Sequence, residues 1–214
     1  MKFTVNQLFE FAEGDGGNYR ADGLTESYAF CHWLATEHYE NFPVGSVFIP
    51  AHERPHIYAV YAFARIADDI ADELGEIDEQ ERVAALDRMK ERLNDDIPDF
   101  PANPVFAALN YTMRKLSIPE DPPAKLIEAF KKDVEFTQPD DWDDLMDYCD
   151  KSANPVGELV LRIFDNYNET TKIYSDKICT GLQLVNFWQD LSRDISKKRY
   201  YIPKKILEKY GINE

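Results

Sequence analysis

The sequence predicts an all-α fold. Apolar residues recur at helical spacing along almost the whole chain, and no pair of alternating segments flanks a hairpin turn. The prolines stand at segment junctions instead of clustering. No repeat, low-complexity tract or Gly/Ser linker divides the 214 residues, so a single domain over 1–214 is expected, and 44% hydrophobic residues suffice for a sizeable core.

Local punctuation then places the elements. Pro55 suits the first turn of a helix running to about Leu74, with Gly75 as its stop. Asp78 and Glu81 predict a capping box opening a helix to about Leu93, and Asn103-Pro104 and Asp121-Pro122 open two more. After Pro139, Asp140 and Asp141 cap a segment through Tyr148. A further helix covers about Asn154 to Phe164, the longest runs from about Thr170 to Ile195, and Pro203 opens a short amphipathic piece.

Charge and cysteine content narrow the function. With 24 basic against 40 acidic residues, a net charge of −16 opposes binding to nucleic-acid phosphates or an anionic bilayer. Cys31, Cys149 and Cys179 are too few and too scattered for a disulfide framework or a zinc site, which suits a reducing cytoplasm. The first residues lack a signal-like apolar run, and no stretch approaches the ~20 apolar residues of a membrane span. The expected location is cytoplasmic, with contact at most peripheral to a membrane.

Chemistry concentrates in two acidic stripes. Asp68 and Asp72 lie four residues apart, on one helical face with Arg65 one turn earlier, in a helix that also contains Tyr61. Their charges repel, and a hard divalent cation such as Mg²⁺, which takes a few carboxylates plus phosphate oxygens and water, would compensate. Alone, such a pair is commonly a solvated face. Gln183, Asn186, Asp190 and Asp194, however, repeat the spacing on the long late helix, with Leu184, Phe187, Trp188 and Leu191 as packing residues. Two such stripes facing each other across a bundle would hold Mg²⁺ against one diphosphate. Arg65, Arg199, His38 and Tyr201 supply donors suited to phosphate oxygens. His38 equally suits a surface position, and Arg199 in Lys197-Lys198-Arg199 a solvated basic end. Phe42, Tyr58, Tyr61, Tyr148 and Phe187 fit a core as well as a cation-facing wall. Ala153 and Gly157 would leave room for a long apolar substrate beside their helix.

These residues resemble the squalene/phytoene synthase family, and within it the hydroxysqualene synthase branch of bacterial hopanoid pathways. The carriers are Glu40-Asn41-Phe42-Pro43-Val44, the run from Tyr61 to Glu73, Ser152-Ala153-Asn154-Pro155-Val156-Gly157, Asn186-Phe187-Trp188-Gln189-Asp190 and Arg199-Tyr200-Tyr201-Ile202-Pro203, in family order over about 28–210. The resemblance implies a class I isoprenoid (prenyl) synthase helical bundle with a central cavity. It implies Mg²⁺ on Asp68, Asp72, Asp190 and Asp194, with Gln183 and Asn186 on the metal and diphosphate side. His38, Asn41, Arg65, Arg199 and Tyr201 would touch diphosphate. Phe42, Tyr61, Tyr148, Val156 and Gly157 would line the prenyl cavity, with Tyr148 or Tyr61 facing the cation. The implied reaction converts presqualene diphosphate and water to hydroxysqualene and diphosphate without NADPH. Family members continue through several helices past the point where this sequence stops, so the resemblance implies a bundle truncated at its C-terminus. A second copy forming a homodimer could then cover exposed apolar surface.

Two other functions fit the same residues. One is a head-to-head prenyltransferase condensing two farnesyl or geranylgeranyl diphosphates. The other is a non-catalytic helical scaffold, against which two repelling acid pairs argue; a scaffold would show no Mg²⁺-dependent binding of a diphosphate analogue.

Overall fold

The computed structural model describes residues 3–37, 48–72, 77–96, 99–196 and 199–212. Its regular elements are α1 (Val5–Ala12), α2 (Leu24–Glu37), α3 (Arg54–Asp72), α4 (Glu79–Glu91), α5 (Pro104–Lys115), α6 (Asp121–Val134), α7 (Trp142–Ser152), α8 (Asn154–Ile163), α9 (Glu169–Gln189), α10 (Leu191–Ser196) and α11 (Lys204–Lys209), with short 3₁₀ turns at Gly17–Tyr19 and Arg92–Asn94. Among the described residues no strand forms; Ala21 and Ala102 make one isolated bridge.

Helix α3 is the organising element, packed against α1, α2, α4, α5, α6 and α8. Ala59, Phe63, Ile66 and Ile70 recur every three to four residues and are fully buried. Ala62, Ala67 and Ala71 are also buried, and their small side chains let neighbouring helices approach. Burying Phe63 or Ile66 contributes about 1.5–3 kcal/mol each. Arg82 of α4 donates through Nη1 to the Ala71 carbonyl at 2.7 Å, satisfying one of the open carbonyls at the end of α3. The turn carrying Asp72 is thereby fixed.

The caps explain most boundaries. Asp78 accepts from the Gln80 N–H, Asn103 from those of Val105 and Phe106, and Asp141 from those of Asp143 and Asp144. Helix α7 continues past the expected Tyr148 to Ser152. Gly75 lies outside the described residues. Two helices were not foreseen. Thr4 and Gln7 form a capping box that opens α1, and α2 packs onto α3 and α5. A polar trio of half-buried Tyr28 with buried Thr112 and His56 reinforces that packing: the Tyr28 hydroxyl meets Thr112 Oγ1 at 2.8 Å, which meets His56 Nδ1 at 2.9 Å. Burial pushes the Tyr28 phenol up to about 12 and the His56 imidazole down.

The expected single helix from Thr170 to Ile195 is two helices. Asp190 takes φ −93° and ψ 4°, closes α9 as its C-cap, and its carbonyl then accepts from the N–H groups of Arg193 and Asp194 at 2.8 and 3.0 Å. The axis bends at Asp190, yet the last of these bonds spans four residues, so Asp194 remains one turn beyond Asp190.

Helix α9 packs on α8 and α7. Gly157 permits the α8 contact, since a Cβ there would collide with Ser175 and lie 2.6 Å from Cys179 Sγ. The room expected beside Gly157 for an apolar substrate is therefore filled by α9. The opposite face of α9 is exposed, including Ile173, Tyr174, Ile178, Leu182 and Trp188. Trp188 was expected to pack and does not; Phe187 does.

Candidate active site

The α3 face opposite Phe63 and Ile66 carries Tyr61, Arg65, Asp68 and Asp72, all partly buried. Arg65 hydrogen-bonds Asp69 through Nη2, and its Nη1 lies 3.6 Å from Asp68. Burial, then the charge of Asp72, pushes Asp68 up to about 7. Burial and the neighbouring carboxylate thus outweigh the pull of Arg65 on Asp68.

Asp72 is held from a distant part of the chain. Arg199 Nη1 donates to Asp72 Oδ1 at 2.6 Å, Arg199 Nη2 donates to the Asp133 carbonyl at 3.0 Å, and the Arg199 backbone N–H donates to the Asp194 carbonyl at 2.9 Å. One arginine therefore joins the first acidic stripe to the turn carrying the second. Its side chain is only 15% exposed, so a solvated basic end is excluded.

The second stripe is more open. Gln183, Asp190 and Asp194 are partly buried, Asn186 is exposed, and Asp190 Oδ1 lies 3.7 Å from Arg193 Nη1. Val156 is exposed on α8. His38, Asn41 and Phe42 lie outside the described residues.

Behind Arg199 sits an aromatic cluster. Phe187 and Tyr201 stack with centroids 4.3 Å apart and planes 11° from parallel, and Tyr148 lies 5.3 Å from Tyr201 and 6.0 Å from Phe187. Both phenols donate to Asp133 of α6: Tyr148 at 2.8 and 2.9 Å to its two oxygens, Tyr201 at 2.9 Å to Oδ1. Burial, then the charge of Asp133, raises both phenols, so they remain protonated donors. Burial pushes Asp133 up to about 6, against the pull of the Tyr148 hydrogen bond and Arg199. Tyr201 also lines an apolar groove of about 260 Å³ with Leu184, Phe187 and Ile206.

Asp133 was missed from sequence. Its signal was an acid three and seven residues beyond Phe130 and Leu126, on the stripe α6 turns inward.

The donor set suits a hard cation. Among the described residues no group of three or more His, Cys, Asp or Glu side chains could by itself hold a metal ion. Carboxylates come in pairs, which fits an ion that retains water and takes phosphate oxygens.

The squalene/phytoene synthase family profile matches residues 35–214. The chain belongs to that family. Within it, a hydroxysqualene synthase from Zymomonas mobilis is 38% identical over 175 residues, 80% of this chain and 57% of the relative. A phytoene synthase from Mycobacterium bovis is 30% identical over 189 residues, 88% of this chain and 61% of the relative. The squalene synthase HpnC from Alicyclobacillus acidocaldarius superposes with a TM-score of 0.80 at 42% identity, covering 89% of this chain and 71% of that one. The all-α bundle is thus an isoprenoid-synthase fold of the squalene/phytoene synthase family. The chain spans 57–61% of those two relatives' lengths. Among the described residues, no helix is long and apolar enough to cross a membrane.

Proposed function

We propose that this chain carries the diphosphate-ionising site of a hydroxysqualene synthase, acting on presqualene diphosphate with Mg²⁺ and water. The observation that carries this reading is the Arg199 bridge between Asp72 and the 190–194 turn, beside a cluster of three aromatic rings. The greater identity to a hydroxysqualene synthase than to a phytoene synthase supports the choice of substrate.

In this reading Asp68, Asp72, Asp190 and Asp194 hold Mg²⁺, with Gln183 and Asn186 alongside. Bound Mg²⁺ supplies charge neutralisation for the leaving diphosphate. Arg65 and Arg199 donate to its oxygens, whereas Tyr201, expected to do the same, gives its one hydroxyl proton to Asp133. The carbon–oxygen bond breaks with its electron pair leaving on diphosphate. The π-faces of Tyr148 and Tyr61 then stabilise the carbocation while it rearranges. Water finally forms the new carbon–oxygen bond and loses a proton.

Incubating the protein with presqualene diphosphate and Mg²⁺ should release diphosphate and hydroxysqualene. Recovery of unreacted substrate alone would refute the assignment. Turnover of farnesyl diphosphate alone to a condensed product would instead identify a head-to-head prenyltransferase.

A further inference from the structure

The geometry points to Asp133 as the positioning residue of this site, setting the two tyrosine rings and Arg199 at once. The inference rests on the proposed ionisation reaction for its catalytic consequence, and on contacts alone for its structural part.

Asp133 ties together segments far apart in the chain. Its carboxylate accepts from Tyr148 of α7 and from Tyr201 beyond α10, and its carbonyl accepts from Arg199, whose other nitrogen holds Asp72 of α3. Tyr201 in turn stacks on Phe187 of α9. A phenol's oxygen lies on its ring axis, so a hydrogen bond there fixes where the far end of the ring stands, and here both far ends are held by one carboxylate. Donation to an anion also enriches each ring in electron density, which strengthens its attraction for a cation over its face. The same contacts direct the hydroxyl protons toward Asp133 and away from any neighbouring cation. Asp133 itself acts through the phenols and Arg199, without touching substrate.

The test compares Asp133→Ala and Asp133→Asn with the parent protein. Asn keeps one oxygen for both phenols and nearly the same shape, so it reports even if Ala fails to fold. With presqualene diphosphate, kcat should fall about 100-fold for Ala and about tenfold for Asn, with KM changed little, as for other residues that orient a direct participant. Products of premature water capture should rise in the same order. The near-UV circular dichroism of the tyrosines should weaken in Ala and be largely retained in Asn, while far-UV helicity is unchanged. A folded Ala variant with the parent's kcat, product ratio and near-UV spectrum would overturn the role. If the parent does not turn over, the proposed reaction fails, and the near-UV comparison alone still decides whether Asp133 sets the rings.

Discussion

Helix α3 and the α9–α10 pair each carry two aspartates one turn apart, yet the two stripes live in different surroundings. Behind Asp68 and Asp72 lie Phe63, Ile66 and Ile70, fully buried, and the acids themselves are tied to Arg65 and Arg199. Around Asp190 and Asp194 the helix is packed on one side only; Ile178 is 63% exposed and Asp190 has a loose partner in Arg193. Spacing sets which residues share a face. What that face meets is decided by neighbours far away in sequence, so identical spacing yields one buttressed stripe and one open stripe.

Truncation should expose this contrast most strongly. Phe63→Ala is expected to cost about 3–5 kcal/mol in urea unfolding, whereas Ile178→Ala should stay within about 0.5 kcal/mol. Equal losses would mean that the exposed face of α9 is covered in solution.

Turnover should erase the contrast. Asp72→Asn and Asp190→Asn are each expected to lower diphosphate release by about 10²–10³-fold with folded protein retained. An active Asp190→Asn would show that only the α3 stripe serves the reaction, and an unfolded Asp72→Asn that the Arg199 pair is structural.

A smaller effect is expected where α9 meets α8. Gly157→Val should destabilise by about 1–3 kcal/mol through the collision with Ser175 and Cys179. Thermal melting would check it, and a neutral result would mean that α9 gives way easily.

The smallest effect concerns pH. Asp68 holds its proton up to about pH 7 in the fold but releases it near 3.8 when unfolded, so its contribution to stability is lost as pH rises through that window. Asp68→Asn should therefore be more stable than the parent at pH 8, by about 1 kcal/mol once solvent screening of a side chain 42% exposed is allowed for. The difference should narrow by pH 5 and close only as pH falls to about 3.8. Melts at pH 8 and pH 5 would check it; a gap that widens in acid has the wrong sign.

Much of the fold was legible because helix starts are written in single residues. Pro55, Asn103-Pro104, Asp141, Asn154-Pro155 and Pro203 each stand at or next to a boundary. The Thr4–Gln7 box was equally legible and passed over. Helix α2 offered less, since Tyr28, Phe30, Cys31, Trp33 and Leu34 spread around the helix and form no stripe. The bend at Asp190 was hidden because Leu191, Ser192 and Arg193 continue a helical pattern. In the site, both acidic pairs announced themselves by spacing. Asp133 could not, being one acid among 40 whose partners lie 15 and 68 residues away. Arg199 was recognised as a donor, but nothing local foretold that it would clasp Asp72 across 127 residues.

That clasp makes the chain its own counter-ion. A guanidinium from a distant part of the chain already sits between two acid-bearing segments and joins them. Whatever later approaches Asp72 meets an incumbent cation, and must offer the carboxylate a better bargain than the one already struck.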